Sequence, residues 1–505
     1  MISDKRIDSK KIVYLSAAGL LGFAALLIMF FSYEGRLIRS EAGRFVYAGI
    51  CIFIIIYAAL PWVIPGTRMK PEQLFLYYFL TAAVFSLIFI PFGFVPDEYN
   101  HYLRTLSLSQ LRIFEGTALI PDNLRSIYAR KGLDAFVGLW SVKALETTEI
   151  VSCTTAIFYP PLSFLPQTVG VVLAGSFTDN LYIILITARA FSLGTTAAII
   201  YFSVKAAPFG KYIIILMSLM PLFIQEAASV SAEGLVNAVI IADISFFFFM
   251  REEGRKMTSR RIIIMVILIV LTFSVKPLYC FIGFIFSVLD SEKFFSKRSK
   301  TAILLPAYIT AVALPILYLA TTYFYGFEFS NSVGEGAGIS AQLSYILTHP
   351  LNYLAVLGRT IACNFLIYVK SCFSLLLLSF QISRKAIIVF VACFAGIILA
   401  DRKEKIGAKA ATAISGAVFF SVFIIFLMEY LQWTPVTNDI ISGVQGRYFF
   451  PLGGPLCLII PKPGRLSIVK NYSETAGLSP VTLFVTVFAG LSMFELAAAS
   501  VSLMF

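Results

Sequence analysis

Three observations predict an all-α protein, a polytopic bundle of transmembrane helices. The chain is 59% hydrophobic and 13% charged, with a mean hydropathy of +0.86, whereas a soluble domain is about 45–50% apolar and about 25% charged. The apolar residues gather in runs near the roughly 20 residues that cross a bilayer, and they lack the every-second-residue alternation of a transmembrane barrel. The Lys and Arg behind the net charge of +12 cluster in short loops between those runs. That is the positive-inside pattern of inserted helices and not a nucleic-acid footprint.

In chain order the runs are 12–31, 45–64, 73–92, 157–176, 181–204, 211–225, 232–250, 262–275, 277–289, 302–324, 386–400, 408–428, 448–460 and 480–501. Lys5, Arg6, Lys10 and Lys11 precede the first run, and no small-residue cleavage site follows it. It therefore reads as an uncleaved span with a cytoplasmic N-terminus. The basic loops 65–72, 251–261, 290–300, 401–405 and 461–470 are expected on the same side, and three spans then place the loop after residue 92 outside.

Charge parity exposes one irregular segment. An odd number of crossings must separate the outer loop 93–156 from the basic loop 251–261, yet four runs lie between them. Pro160, Pro161 and Pro166 interrupt 157–176. Irregular backbone at membrane depth needs cover from protein or water, so 157–176 is expected to be re-entrant or juxtamembrane. The expectation is then about 13 spans, with the C-terminus outside. Residues 351–380, broken by Arg359, Asn364 and Lys370, are expected along the interface or buried in the bundle. The short runs 262–275, 277–289 and 448–460 suit the walls of a cavity. Residues 1–505 form a single integral membrane domain, with outer segments at 93–156 and 325–385. Seven scattered cysteines, most inside apolar runs, give neither a disulfide framework nor metal-ligand spacing.

The chemistry concentrates in Pro96-Asp97-Glu98-Tyr99-Asn100-His101-Tyr102-Leu103-Arg104, which contains one of only two histidines. Pro96 suits a first helical turn, Asp97 and Glu98 its positive end, and Gly116 its exit. Asp97, His101 and Arg104 then share one face at i+4 and i+7, with Thr105 and Arg112 nearby. The expectation is an amphipathic outer helix, whose plain alternative is an interfacial helix with a charged solvent face. Arg189, Asp243, Lys276, Glu429, Arg447 and Glu495 lie within or beside apolar runs, where a charge is costly and is usually paired or functional. Asp243 and Glu495 read as structural, while Lys276 and Arg447 fall at outer helix ends. Asp97-Glu98-x-x-His101 lacks the first His of a zinc-protease motif, and His349 has no helical partner. Gly334-Glu335-Gly336-Ala337-Gly338 lacks the Lys-Ser/Thr of a phosphate loop and reads as a flexible outer loop.

Pro-Asp-Glu-x-x-His-x-x-Arg after an early span resembles a large bacterial family of predicted membrane proteins known as a domain of unknown function. Further matches follow in order: Tyr159-Pro160-Pro161 with Leu165-Pro166-Gln167, Ala188-Arg189, Met220-Pro221 through Ser231, and Gly443-Val444-Gln445-Gly446-Arg447-Tyr448-Phe449. Glu233 departs from the Asp expected there. That family in turn looks like the C-type superfamily of membrane glycosyltransferases.

The resemblance implies transfer of a sugar from a polyprenyl-phosphate carrier to an extracytoplasmic glycan or lipid acceptor of the bacterial cell envelope. It implies Asp97 as the general base, and Glu98 as the residue that orients the site or holds a divalent cation. His101, Arg104, Tyr159, Arg189, Lys276, Gln445 and Arg447 are the expected substrate-binding residues, the cations among them meeting the lipid phosphate. The rival expectations are a flippase for lipid-linked glycans and a non-catalytic assembly component.

Overall fold

The computed structural model describes residues 41–63, 69–327 (less 122, 129, 131, 132, 145 and 154), 336–376, 380–400, 406–460 and 480–504. These form a helical bundle with two small antiparallel β-pairs. The run 12–31 and the basic loops 401–405 and 461–470 lie outside the described residues, as do Gly334 and Glu335.

Local chemistry sets most helix starts. Pro71, Pro161, Pro221 and Pro350 open the first turns of their helices, where a missing N–H costs nothing. Asn180 caps Leu181–Ala206 by accepting from the Ile183 N–H at 3.2 Å, and Ser296 caps Lys297–Phe324 by accepting from the Ser299 N–H at 3.0 Å. The central helix Leu181–Ala206 packs against Pro71–Phe89, Leu165–Gly175 and Glu233–Arg251. Ser259–Val275 joins Glu233–Arg251 to Lys297–Phe324, and Pro480–Met504 packs on Glu41–Val63 and Arg384–Ala400. One continuous apolar core runs through these helices. A second core, including Tyr102, Ala118, Ile120, Leu124 and Leu185, seats the 93–156 segment on the bundle.

Among the described residues, seven helices are long and apolar enough to cross a membrane: Pro71–Phe89, Leu181–Ala206, Glu233–Arg251, Lys297–Phe324, Pro350–Ser371, Ala408–Trp433 and Val481–Leu503. The expected 13 include the run 12–31, which lies outside the described residues, and two further runs fold as shorter pieces. The run 211–225 divides into Lys211–Ser218 and Pro221–Ala227, with the break just before Pro221. The run 277–289 folds as short 3-10 turns around Cys280–Gly283. Conversely, 351–380 contains the continuous 22-residue helix Pro350–Ser371, largely unburied by protein, with Arg359 paired to Asp439 at 2.9 Å. Its charged residues break the apolar run but not the helix.

The segment 157–176 consists of 3-10 turns at Ala156–Phe158 and Pro161–Phe164 followed by the 11-residue helix Leu165–Gly175. At 1.5 Å per residue that helix reaches only about 16 Å, roughly half the hydrocarbon thickness.

The segment 93–156 is a compact cap on the bundle. Thr117–Pro121 pairs antiparallel with Thr147–Ser152, Leu119 opposite Ile150. The Asp-Glu helix spans Glu98–Ser109, ending well before Gly116, and its residues from His101 to Leu108 are all buried. It is therefore not an interfacial helix with a solvent face. The cap covers one side and the bundle the other.

Candidate functional site

The paired acids Asp97 and Glu98 point to different places. Asp97 is the residue before the helix, with a left-handed φ of 58°, and its carbonyl accepts the His101 N–H at 2.9 Å. Pro96 therefore precedes the cap and is not in the first turn. Glu98 opens the helix and turns into the protein, with 1% of its surface exposed. Its carboxylate accepts Arg189 Nε and Nη2, each at 2.8 Å, and the Gly93 N–H at 3.0 Å. Arg189 also donates Nη1 to the carbonyls of Leu87 and Ile90, locking the end of Pro71–Phe89 to Leu181–Ala206. Both Glu98 oxygens are occupied, so a divalent cation does not fit there. Among the described residues, no group of three or more His, Cys, Asp or Glu side chains is placed to hold a metal ion.

Arg104 is also turned away. Its guanidinium is completely buried and donates to Ser107 Oγ, the Ile113 carbonyl and Tyr318 Oη, the last at 2.7 Å. It ties the cap to Lys297–Phe324.

The other expected residues converge. A cavity of about 360 Å³ is lined by Asp97, Asn100, His101, Tyr159, Lys276, Glu429, Gln432, Trp433, Gln445 and Tyr448, with apolar neighbours. Arg447, buried behind it, donates Nη2 to Asp97, while its Nε and Nη1 have no hydrogen-bond partner. Asp97 is both paired and reachable, with 45% of its side chain open. Burial pushes its carboxyl pKa up, but Arg447 foremost, with His101 and Lys276, outweighs burial and holds it below the usual value.

His101 supports the cavity wall through its ring. Nδ1 lies 3.1 Å from the Ala232 N–H, which can only donate, and 3.1 Å from Ser231 Oγ. In the neutral ring that contact leaves the proton on Nε2. Burial pushes the His101 pKa down to about 4, against the pull of Asp97 and Glu233, so the ring is neutral at physiological pH.

Lys276 sits in the break between Ser259–Val275 and the 3-10 turn Pro277–Tyr279. Its ammonium lies 2.5 Å from Glu233 Oε1 and faces the rings of Tyr159 and Tyr448 at 5.0 and 4.8 Å. Tyr159 Oη donates to the same Glu233 oxygen at 2.8 Å. Glu233, noted in the sequence only as a departure from Asp, is thus the shared anchor of two cavity residues.

The 443–449 stretch closes the site by tight backbone packing. The Gly446 N–H donates to Ser371 Oγ at 2.8 Å, and a Cβ on Gly446 would collide with the Tyr368 carbonyl. This seating presents Gln445 to the cavity and Arg447 to Asp97. Residues from five distant stretches of sequence, ending in a Gly-x-Gln-Gly-Arg-Tyr motif, thereby line one chamber.

The chain belongs to the DUF2142 family of predicted membrane proteins. The family model matches residues 79–453, a span that includes every residue lining the cavity. No curated protein and no solved structure matched the chain.

Sequence reasoning did not assign Asn100, Gln432 or Trp433 to the site, and it left Glu429 as one of several charged residues near apolar runs. Glu429, Gln432 and Trp433 stand at i, i+3 and i+4 in the last turns of Ala408–Trp433. That spacing at the end of an apolar run is the signal that could have found them.

Proposed function

We propose that this protein is a bacterial plasma-membrane glycosyltransferase that moves a sugar from a polyprenyl-phosphate carrier to an extracytoplasmic glycan or lipid acceptor. The observation that carries this reading is the chamber in which a reachable carboxylate, Asp97, stands beside a guanidinium with two unpartnered N–H groups and near a buried ammonium. Phosphoryl-linked transfer needs both kinds of group. An acceptor hydroxyl loses its proton as it attacks the anomeric carbon, and Asp97 takes that proton. The bond to the carrier phosphate breaks, and Arg447 and Lys276 stabilise the charge that develops on the departing oxygen. Tyr159 and Glu233 hold the ammonium in place. Glu98, Arg104 and Arg189 serve this reading as positioning residues, because each is engaged with protein groups outside the chamber.

One observation favours a transporter of the same lipid. A carboxylate held by an arginine is a weakened base, and a flippase needs the cations without needing Asp97 to accept a proton. The two readings separate on turnover. Purified protein in lipid nanodiscs is given a radiolabelled polyprenyl-phosphate sugar and a crude envelope acceptor, and free polyprenyl phosphate is measured. Release supports the transferase, whereas donor retained intact and moved between leaflets supports the transporter.

A further inference from the structure

Five carboxylates lie in or near the chamber, and four of them are engaged. Asp97 is paired with Arg447, Glu98 with Arg189, and Glu233 with Lys276, while Glu226 accepts the Asn237 amide at 3.4 Å. Glu429 is the exception. It lines the chamber, only 8% of its surface is exposed, and its carboxylate makes no hydrogen bond or ion pair among the described residues. A buried ionisable group without a hydrogen-bond or ion-pair partner, near the end of a membrane helix, is costly and marks function by default.

Its surroundings are built to keep it free. Gly443 stands beside it with a left-handed φ of 84°, and a Cβ there would collide with Glu429 Oε2 and approach Trp433 Cβ and Cγ at 2.9 and 3.1 Å. Only glycine leaves room for both side chains. Gln432 and Trp433 line the same wall, and Trp433 is 38% exposed although it borders the chamber. From Gly338, the adjoining helix Ile339–Thr348 is pinned to this wall through Gln342 Nε2, which donates to the Tyr430, Thr434 and Pro435 carbonyls. The wall is therefore held in place from behind while its chemistry stays open in front.

A partly exposed indole, a neutral amide and an unpaired carboxyl group recognise a polyhydroxylated ring. The carboxylate accepts from hydroxyls, the amide both donates and accepts, and the indole covers the apolar C–H face. Cations for an anionic group lie elsewhere in the same chamber, at Lys276 and Arg447.

We infer that Glu429, with Gln432 and Trp433, forms the subsite for the sugar carried on the lipid phosphate, and that Glu429 determines which glycosylated carrier is bound. The inference rests on the proposed reading and deepens it. Glu429 binds sugar hydroxyls, and the proton of the reaction goes to Asp97.

Binding without turnover tests this. Wild-type protein and variants in nanodiscs are titrated with undecaprenyl phosphate alone and with undecaprenyl-phosphate glucose, galactose and mannose. The wild type should bind at least one glycosylated form more tightly than the bare carrier. Glu429→Gln should weaken that form about tenfold or more, because one charged acceptor oxygen is replaced by an amide donor, and leave the bare carrier unchanged. Gly443→Ala should lower the preference for the glycosylated form as well, by crowding Glu429 without altering any charge. Lys276→Ala should weaken both forms. A Glu429→Gln protein that keeps the full preference for the glycosylated form overturns the inference, as does a wild type with no such preference, while carrier binding still stands. A wild type that binds none of the four lipids overturns the proposed function itself.

Discussion

Arg189 grips Glu98 with two prongs, Nε and Nη2 each 2.8 Å from a carboxylate oxygen. Asp97, one residue earlier, faces the chamber and meets Arg447 instead. The left-handed backbone at Asp97 separates the two acids, so neighbours in sequence serve different parts of the molecule. Removing one partner of such a buried pair leaves a naked charge, at a cost of about 3–5 kcal/mol. Arg189→Met should therefore lower thermal stability in detergent markedly, and Glu98→Gln with Arg189→Met together should recover part of the loss. Unfolding curves of the single and double variants check this. An unchanged midpoint in Arg189→Met would show that the pair does not hold the fold.

Asp97→Asn should reduce sugar transfer by about 10²–10⁴-fold, the usual contribution of a placed general base, with expression and membrane insertion unaltered. Release of labelled polyprenyl phosphate is the readout. Retention of more than about a tenth of the wild-type rate would remove Asp97 from that role.

Lys276→Ala and Arg447→Ala should each weaken binding of the phosphate-linked donor. Equilibrium binding of the labelled donor measures this separately from turnover. Unchanged affinity in both variants would confine the two cations to their pairs with Glu233 and Asp97.

Acid should destabilise the protein through His101. Its pKa is about 4 in the folded chain and about 6.5 when unfolded, so only the unfolded state gains a proton between those values. Stability is intact above pH 6.5 and is lost as pH falls toward 4, by at most about 3 kcal/mol. His101→Asn should flatten the pH dependence of unfolding over that window. A wild-type stability that is level from pH 7 to 4 would contradict the buried neutral ring.

Cysteines introduced at Asn123, Asp179 and Ser259, in a background lacking the native seven, test the orientation. An impermeant thiol reagent should label the first two from outside and Ser259 only after permeabilisation. Protection at Asp179 would make 157–176 a full crossing. Protection at Asn123 would put Asp97 in the cytoplasm and end the polyprenyl-donor reading.

The sequence makes the membrane bundle and the irregular 157–176 segment plain, because hydrophobic length and proline placement act locally. It also points to Asp97, His101, Tyr159, Lys276, Gln445 and Arg447. It could not separate these from Glu98, Arg104 and Arg189. A polar group among apolar neighbours looks the same in sequence whether it turns toward a chamber or locks two helices together. The helical wheel placed Asp97 and Arg104 on one face, yet Asp97 precedes the helix and Arg104 reaches Tyr318. Glu429 was visible as a charge but not as an unpaired one, since pairing depends on tertiary packing.

The contact between Asp97 and Arg447 joins positions 350 residues apart. At about 5–20 residues per second of synthesis, Asp97 leaves the ribosome some tens of seconds before its partner exists. The chamber is thus among the last things the growing chain completes. A nascent chain stopped before residue 443 carries the Asp-Glu helix and most of the bundle, but lacks Gln445, Arg447 and the glycine that seats Glu429. Interrupted synthesis therefore yields a chain whose chamber is incomplete, with Asp97 lacking its guanidinium partner.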